Sequence, residues 1–335
     1  MNKVLKKVLL VVNPMANKHK ASWQTTLIQA LALRQWPYQL YQTSSCLIQN
    51  QAFFSDNLAQ FSDVIVLGGD GTLHIVANCL AYTDIPMSFI PCGTGNDFAR
   101  SWYGDISDEQ LLGCVLDGQV NSISLGKVNQ RYFINVAGIG FDGAVLQASQ
   151  GRKSYFPKLS YLLQTLEHLW GYQGQALEVS ALNSGKLKAK DGYKPDGEPV
   201  HKPDCKPEPE LPALIESCQR PSFVLAIANG KYFGGAMMIA PHANVQSDAL
   251  AYCHIQDCRW SDKLINLLRI FSGAHLNAPI VAAGQIHHGL NILTSGIPME
   301  ADGEWLGLSP AEITVCPNAL KLRGLNIELH RGLVA

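Results

Sequence analysis

Val64-Ile65-Val66-Leu67-Gly68-Gly69-Asp70-Gly71-Thr72 and, a helix further on, Met87-Ser88-Phe89-Ile90-Pro91-Cys92-Gly93-Thr94-Gly95-Asn96-Asp97-Phe98-Ala99-Arg100 set the reading of this chain. Each is an apolar run of strand length that ends in a glycine-rich loop carrying aspartate. Glycines at the start of a helix let backbone N–H groups approach an anion, and the helix dipole favours negative charge there. One such loop reads as a tight turn. Two on consecutive strands read as a phosphate cradle, and the aspartates suggest a metal ion held with the phosphate. Neither loop follows G-x-x-x-x-G-K-[ST], so this is no Walker A site.

Working outward, residues 4–120 alternate strand-like and helix-like runs: Val8–Val12, Lys20–Leu33, Tyr38–Gln42, Gln49–Gln60, Val64–Leu67, Thr72–Leu80 and Met87–Ile90. This alternation predicts an α/β fold with a doubly wound parallel sheet, whose ligands bind beyond the carboxyl ends of the strands. From about Ser122 the pattern changes to short segments between turns: Tyr132–Val136, Leu177–Ala181, Phe223–Ala228, Met237–Ala240, Leu250–His254, Ile292–Thr294 and Ile313–Cys316. They predict a mainly β, sandwich-like second domain, with helices near Lys158–Leu169 and Asp262–Phe271. The expected division is 1–123 for the nucleotide-binding domain and 124–316 for the second. Between Asn183 and Arg220 a Pro-charged repeat (Lys194-Pro195-Asp196, Lys202-Pro203-Asp204, Lys206-Pro207-Glu208) reads as an exposed insertion at 183–220.

With 335 residues, 47% of them hydrophobic, the chain can build two cores. A net charge of −1 gives no electrostatic case for nucleic acid. The nine cysteines form no C-x-x-C pair, which argues against a secreted disulfide framework and for a reducing, cytoplasmic setting. No run approaches the roughly 18 apolar residues of a membrane span. Tyr155 to Tyr172 has the amphipathic, aromatic character of a helix that either meets a bilayer surface or packs on a core. Homo-oligomerisation stays open.

The two loops, taken with other segments, resemble the lipid kinases of the diacylglycerol kinase and sphingosine kinase type, bacterial soluble members included. Val12-Asn13-Pro14 is similar to that family's opening loop, Gly68 to Thr72 to its nucleotide loop, and Pro91 to Arg100 to its second loop. Tyr132 through Asp142, Asn229 through Pro241 and Asp302-Gly303-Glu304 continue the resemblance in order over nearly the whole chain. It implies ATP and Mg²⁺ as cofactors, with a lipid such as diacylglycerol as acceptor at a membrane surface. The nucleotide site is then Asn13, Gly68, Gly69, Asp70, Gly71, Thr72, Gly93, Thr94, Gly95, Asn96 and Asp97. Metal-network candidates are Asp70, Asp97 and Asp248. The resemblance also implies that 317–335 returns to the first domain.

Phosphoryl transfer to an alcohol needs a carboxylate to accept the hydroxyl proton. Asp-Gly-Glu occurs at Asp196–Glu198, inside the proline-rich insertion, and at Asp302–Glu304, between strand-like runs; Asp302 is read as the catalytic base and Glu304 as its partner. Some positions depart from the family pattern: Ser124 stands at a usual aspartate, Asp248 lacks the companion acid, and His74-Ile75 replace Asn-Glu. An NAD kinase-like small-molecule kinase shares the Gly-Gly-Asp-Gly loop, and a non-catalytic nucleotide or lipid sensor could share the fold. A dinucleotide reading of Gly138-Ile139-Gly140-Phe141-Asp142-Gly143 would need an acid near the apolar Leu162-Leu163.

Overall fold

The computed structural model describes residues 6–14, 18–149, 169, 171–182 and 211–324. Its first half alternates strand and helix: β1 (Val8–Val12), α1 (Lys18–Leu33), β2 (Tyr38–Gln42), α2 (Leu47–Asn57), β3 (Asp63–Gly68), α3 (Asp70–Leu80), β4 (Met87–Pro91), α4 (Asp97–Trp102) and α5 (Asp108–Asp117). The strands lie parallel in the order β2-β1-β3-β4. All five residues of β1 and all six of β3 are buried, as expected for strands covered by helices on both faces.

The second half is mainly strand: β5 (Gln119–Val128), β6 (Arg131–Phe133), β7 (Val136–Gly140), α6 (Phe141–Ser149), β8 (Val179–Ala181), α7 (Leu211–Ser217), β9 (Ser222–Ala228), β10 (Leu250–Gln256), α8 (Trp260–Ile270), β11 (Val281–Ile286), β12 (Gly289–Ile292), β13 (Pro298–Ala301), β14 (Glu304–Leu308) and β15 (Ala311–Gly324). Six of these strands form an antiparallel sheet, β11-β10-β9-β7-β13-β14. Side chains alternate across it with the period of a strand. Ala137, Ile139, Leu225, Ile227, Leu250 and Tyr252 face a core shared with β12 and β15, while Val136, Val224, Ala226, Ala251 and Cys253 face α6 and α8. The mixed α/β half followed by a mainly antiparallel β half agrees with the expected fold class.

Strands β5 and β15, of 10 and 14 residues, are the longest among the described residues. β15 pairs with β12 near Ile313, with β5 over most of its course, and in parallel with β4 at Leu322–Met87. The same two strands thus serve both halves, so no loop linker separates them.

Three sequence expectations need correction. Tyr132–Val136 is two strands rather than one, broken at Ile134-Asn135, whose N–H groups turn to Asp302. Met237–Ala240 makes only a bridge to Phe233, because Met238 and Ala240 donate to the carbonyls of Ile270 and Lys231 rather than to a strand neighbour. Within 183–220, Leu211–Ser217 is a helix with Leu214 fully buried and Ser217 Oγ 2.8 Å from Nδ1 of the buried His254. Residues 183–210, including Asp196–Glu198, and most of Tyr155–Tyr172 and Lys158–Leu169 lie outside the described residues.

Candidate active site

The two glycine loops leave the carboxyl ends of the adjacent strands β3 and β4 and touch backbone to backbone. A Cβ on Gly69 would stand 2.8 Å from Gly93 Cα, and one on Gly93 only 2.5 Å from Gly69 Cα. Gly69 has φ −100°, an ordinary extended value, so its need for glycine is steric rather than conformational. The Cys92 N–H donates to the Gly68 carbonyl (2.9 Å), and Asn13 Nδ2 reaches Thr72 Oγ1 (3.2 Å), bringing the opening loop against the first. Lys20 Nζ donates to the Asn13 carbonyl.

Asn96 shapes the second loop from within. It adopts a left-handed conformation (φ 55°), its Oδ1 accepts from Gly93 N–H and its Nδ2 donates to the Gly93 carbonyl. Asn tolerates this conformation better than most residues do. Asp70, first residue of α3, accepts from the N–H groups of Asp97 and Phe98 at 3.2 and 3.1 Å and so caps α4 from the neighbouring loop. Burial raises its carboxyl above the usual carboxylate range, against the lowering effect of the Phe98 N–H. Asp97 is buried: Oδ1 accepts from Arg100 and from Ala236 N–H, and Oδ2 from Gly235 N–H, each at 2.7 Å. It therefore ties the second loop to the Gly234-Gly235 turn. Beside it a cleft of about 220 Å³ opens among Trp23, Pro91, Asn96, Arg100 and Tyr103.

Asp302 lies at the junction of the two halves, in a left-handed turn (φ 51°) between β13 and β14. Its side chain is 0% exposed. Oδ1 accepts from the N–H groups of Asn135 (2.9 Å) and Val136 (3.1 Å), and Oδ2 from Ile134 N–H (2.9 Å) and His74 Nδ1 (2.9 Å). A carboxylate offers about four lone-pair positions, and these four donors fill them. His74 and Asn78 sit one turn apart on the buried face of α3, and Asn78 joins that helix to β6 through the Tyr132 backbone. Sequence reading noted His74 only as a departure; the signal available was two polar residues at i, i+4 on an otherwise apolar helix face. Glu304, by contrast, is exposed, with Oε1 4.0 Å from where a Cβ on Gly71 would stand.

Ser124, buried on β5, donates to the Ser247 carbonyl (2.9 Å), and Asp248 follows in that turn, exposed. No group of three metal-ligating side chains gathers among the described residues.

Between α8 and the antiparallel sheet lies an apolar cavity of about 40 Å³, lined by Phe141, Phe223, Met237, Leu267 and Ile270. Asp142 also borders it, with Oδ2 buried and unpartnered. Glu300 crowds the same point, for a Cβ on Gly138 would lie 2.8 Å from Asp142 Oδ2 and 2.9 Å from Glu300 Oε1. Burial pushes the Asp142 carboxyl up to about 7, and burial followed by the Asp142 charge raises Glu300 well above the usual range. Neither acid's environment was legible from sequence. A helix does open after Gly138-Ile139-Gly140, but its strand is antiparallel, and Gly143 is there because a Cβ would meet the Pro298 backbone at 2.5 Å.

The Asp142 geometry sets a pH-dependent expectation. Between pH 4 and 7 the unfolded chain ionises this carboxyl while the folded chain keeps it protonated, so stability falls as pH rises through that window and levels off above it. Asp142→Asn cannot ionise. Its stability should gain on the wild type across the window, by about 4 kcal/mol at most, which urea melts at several pH values would measure. A gap that stays constant from pH 4 to 8 would mean that Asp142 ionises normally.

The family described as diacylglycerol kinase catalytic domain matches residues 7–128, and that described as YegS C-terminal NAD kinase beta sandwich-like domain matches residues 135–324. The diacylglycerol kinase of Mycobacterium tuberculosis (strain CDC 1551 / Oshkosh) is 27% identical over 267 residues, covering 77% of this chain and 75% of that protein. That of Bacillus subtilis (strain 168) is 35% identical over 136 residues, 39% of this chain and 44% of the relative. A crystal structure of a diacylglycerol kinase from Bacillus anthracis str. Sterne shares the fold with a TM-score of 0.62 at 17% identity, covering 96% of this chain and 98% of that one.

Proposed function

The chain belongs to the diacylglycerol kinase family of lipid kinases, and from that premise we propose that it transfers the γ-phosphate of ATP to a hydroxyl of a lipid such as diacylglycerol. The observation that carries this reading is the contact of Gly69 with Gly93, which brings two helix N-termini and their loops to one place at the carboxyl edge of a parallel sheet. The phosphates would lie along Gly68–Thr72 and Gly93–Asn96, with the nucleoside in the adjoining cleft and Asn13 at its edge. The apolar cavity under α8 supports a lipid acceptor. At about 40 Å³ it holds little more than a water, so an acyl chain would enter only as its walls move.

The donor set fits Mg²⁺, which needs only one or two protein carboxylates when phosphate oxygens supply the rest. Glu304, exposed over the first loop, is the carboxylate we assign to it; Asp97 has its oxygens committed to backbone and Arg100. When bound, the ion would neutralise charge on the transferring phosphate.

Two readings of the base compete. Asp302, the residue chosen from sequence, has its acceptor positions filled by four donors. Asp70 holds only two long hydrogen bonds and a raised carboxyl, which favours it as the proton acceptor at neutral pH. We therefore assign Asp302 to positioning and Asp70 to the proton. Radiolabelled ATP offered with diacylglycerol, sphingoid bases, phosphatidylglycerol and NAD is the test. Label in a lipid is expected; label in NAD alone would move the acceptor to small molecules, and none at all would favour a sensor.

A further inference from the structure

Helix α8 is two-faced in an unusual way. Lys263, Asn266 and Ile270 are buried, and Leu267 and Ile270 wall the apolar cavity. The outer side carries Trp260 (51% exposed), Ile265 (46%) and Leu268 (66%), with Phe271 (47%) just past its end. Their spacing puts the four on one stripe of a 3.6-residue helix. Arg259 and Arg269, both exposed, flank the stripe, and neither side chain has an ion-pair or hydrogen-bond partner among the described residues.

We infer that this stripe is the surface by which the protein lies on an anionic lipid bilayer, the four apolar side chains at the headgroup boundary and the two arginines against lipid phosphates. The inference rests on the lipid-kinase reading for its occupant. Three features favour a bilayer over a protein partner. Aromatic residues at both ends with cations at the flank form the pattern of a helix lying in the interface plane. Four side chains cover far less than the roughly 800 Å² per partner that a stable dimer buries. The inner face of the same helix borders the cavity next to Asp142, so a lipid leaving the bilayer at α8 would be one side chain from the proposed acceptor pocket. Eleven helical residues are too few to cross a membrane, and no helix among those described is long and apolar enough to do so.

The test is co-sedimentation of the full chain with vesicles of phosphatidylcholine and phosphatidylglycerol in equal parts. Leu268→Glu is expected to lower partitioning about tenfold or more, since it removes apolar burial and adds a repelled charge. Leu33→Glu, on the far exposed end of α1, should bind as wild type. Turnover on vesicle-borne diacylglycerol should fall with partitioning in Leu268→Glu, while turnover on a short-chain, monomeric diacylglycerol should not. Equal partitioning of wild type and Leu268→Glu would overturn the inference, as would a wild-type dimer in sedimentation velocity that Leu268→Glu dissociates. Should Leu268→Glu melt early, Phe271→Ser replaces it. Loss of vesicle binding without any lipid phosphorylation would retain the surface and reject the kinase reading; phosphorylation with unchanged binding would do the reverse.

Discussion

Asp302→Asn is expected to lose turnover by about 10²-fold or more and to lower the melting temperature at the same time. The substitution keeps the size of the side chain but turns one acceptor oxygen into an NH₂ group facing donors, either His74 Nδ1 and Ile134 N–H or the N–H groups of Asn135 and Val136. Stranding two buried donors and removing a buried charge costs about 3–5 kcal/mol. The break between β6 and β7 then loses its anchor, and Glu304, two residues on, loses its aim at the first loop. Asp70→Asn should also lose turnover, but with a melting temperature near wild type, because its two hydrogen bonds are long and an amide oxygen can retain one. Melts and initial rates on the two variants separate the roles. An Asp302→Asn protein that melts like wild type and fails only in turnover would return the base to Asp302.

Gly93→Val should be nearly as damaging, for a different reason. Any Cβ at this position meets the Gly69 Cα at 2.5 Å and Asn96 Oδ1 at 2.9 Å, and the first of these is backbone that cannot swing aside. The loops must part by something on the order of 1 Å, which costs about 1–3 kcal/mol of stability and removes the shared cradle. Millimolar Mg-ATP should raise the melting temperature of the wild type and leave that of Gly93→Val unmoved, since a ligand stabilises only a fold that binds it. Gly113→Ala in α5, where an added Cβ meets nothing within 4 Å, serves as the control and should be neutral or slightly stabilising. A nucleotide-induced rise in Gly93→Val equal to that of wild type would take phosphate binding away from these loops.

What sequence made legible follows from the range of the forces involved. The runs Val8–Val12 and Val64–Leu67 announce buried parallel strands because continuous burial leaves its mark on consecutive residues, and the Gly-Asp loops announce their positions because a close backbone approach excludes side chains locally. Tyr132–Val136 misled because its break is imposed by Asp302, far along the chain, and nothing in the five residues themselves interrupts a strand. Met237–Ala240 has strand-like residues but gives its N–H groups to Ile270 and Lys231. The Leu211–Ser217 helix was hidden by the proline-rich composition before it; only Leu214 and the Ser217 contact with His254 reveal that it packs. Asp142 lies in the first turn of α6 and Glu300 on β13, so their crowding at Gly138 is a product of pairing between β7 and β13 and leaves no local trace.

Strand β15 has a consequence for how this protein is made. A ribosome delivers β1 to β4 early, yet one edge of β4 stays open until Leu322 arrives, and β5 waits for the same late segment along most of its length. During synthesis the nascent chain therefore carries unpaired strand edges, the kind of surface that recruits chaperones or seeds aggregation. A chain cut short before Ala311 would lack the seam of both halves at once, so a prematurely ended product should be cleared as a whole rather than survive as a free-standing nucleotide-binding fragment.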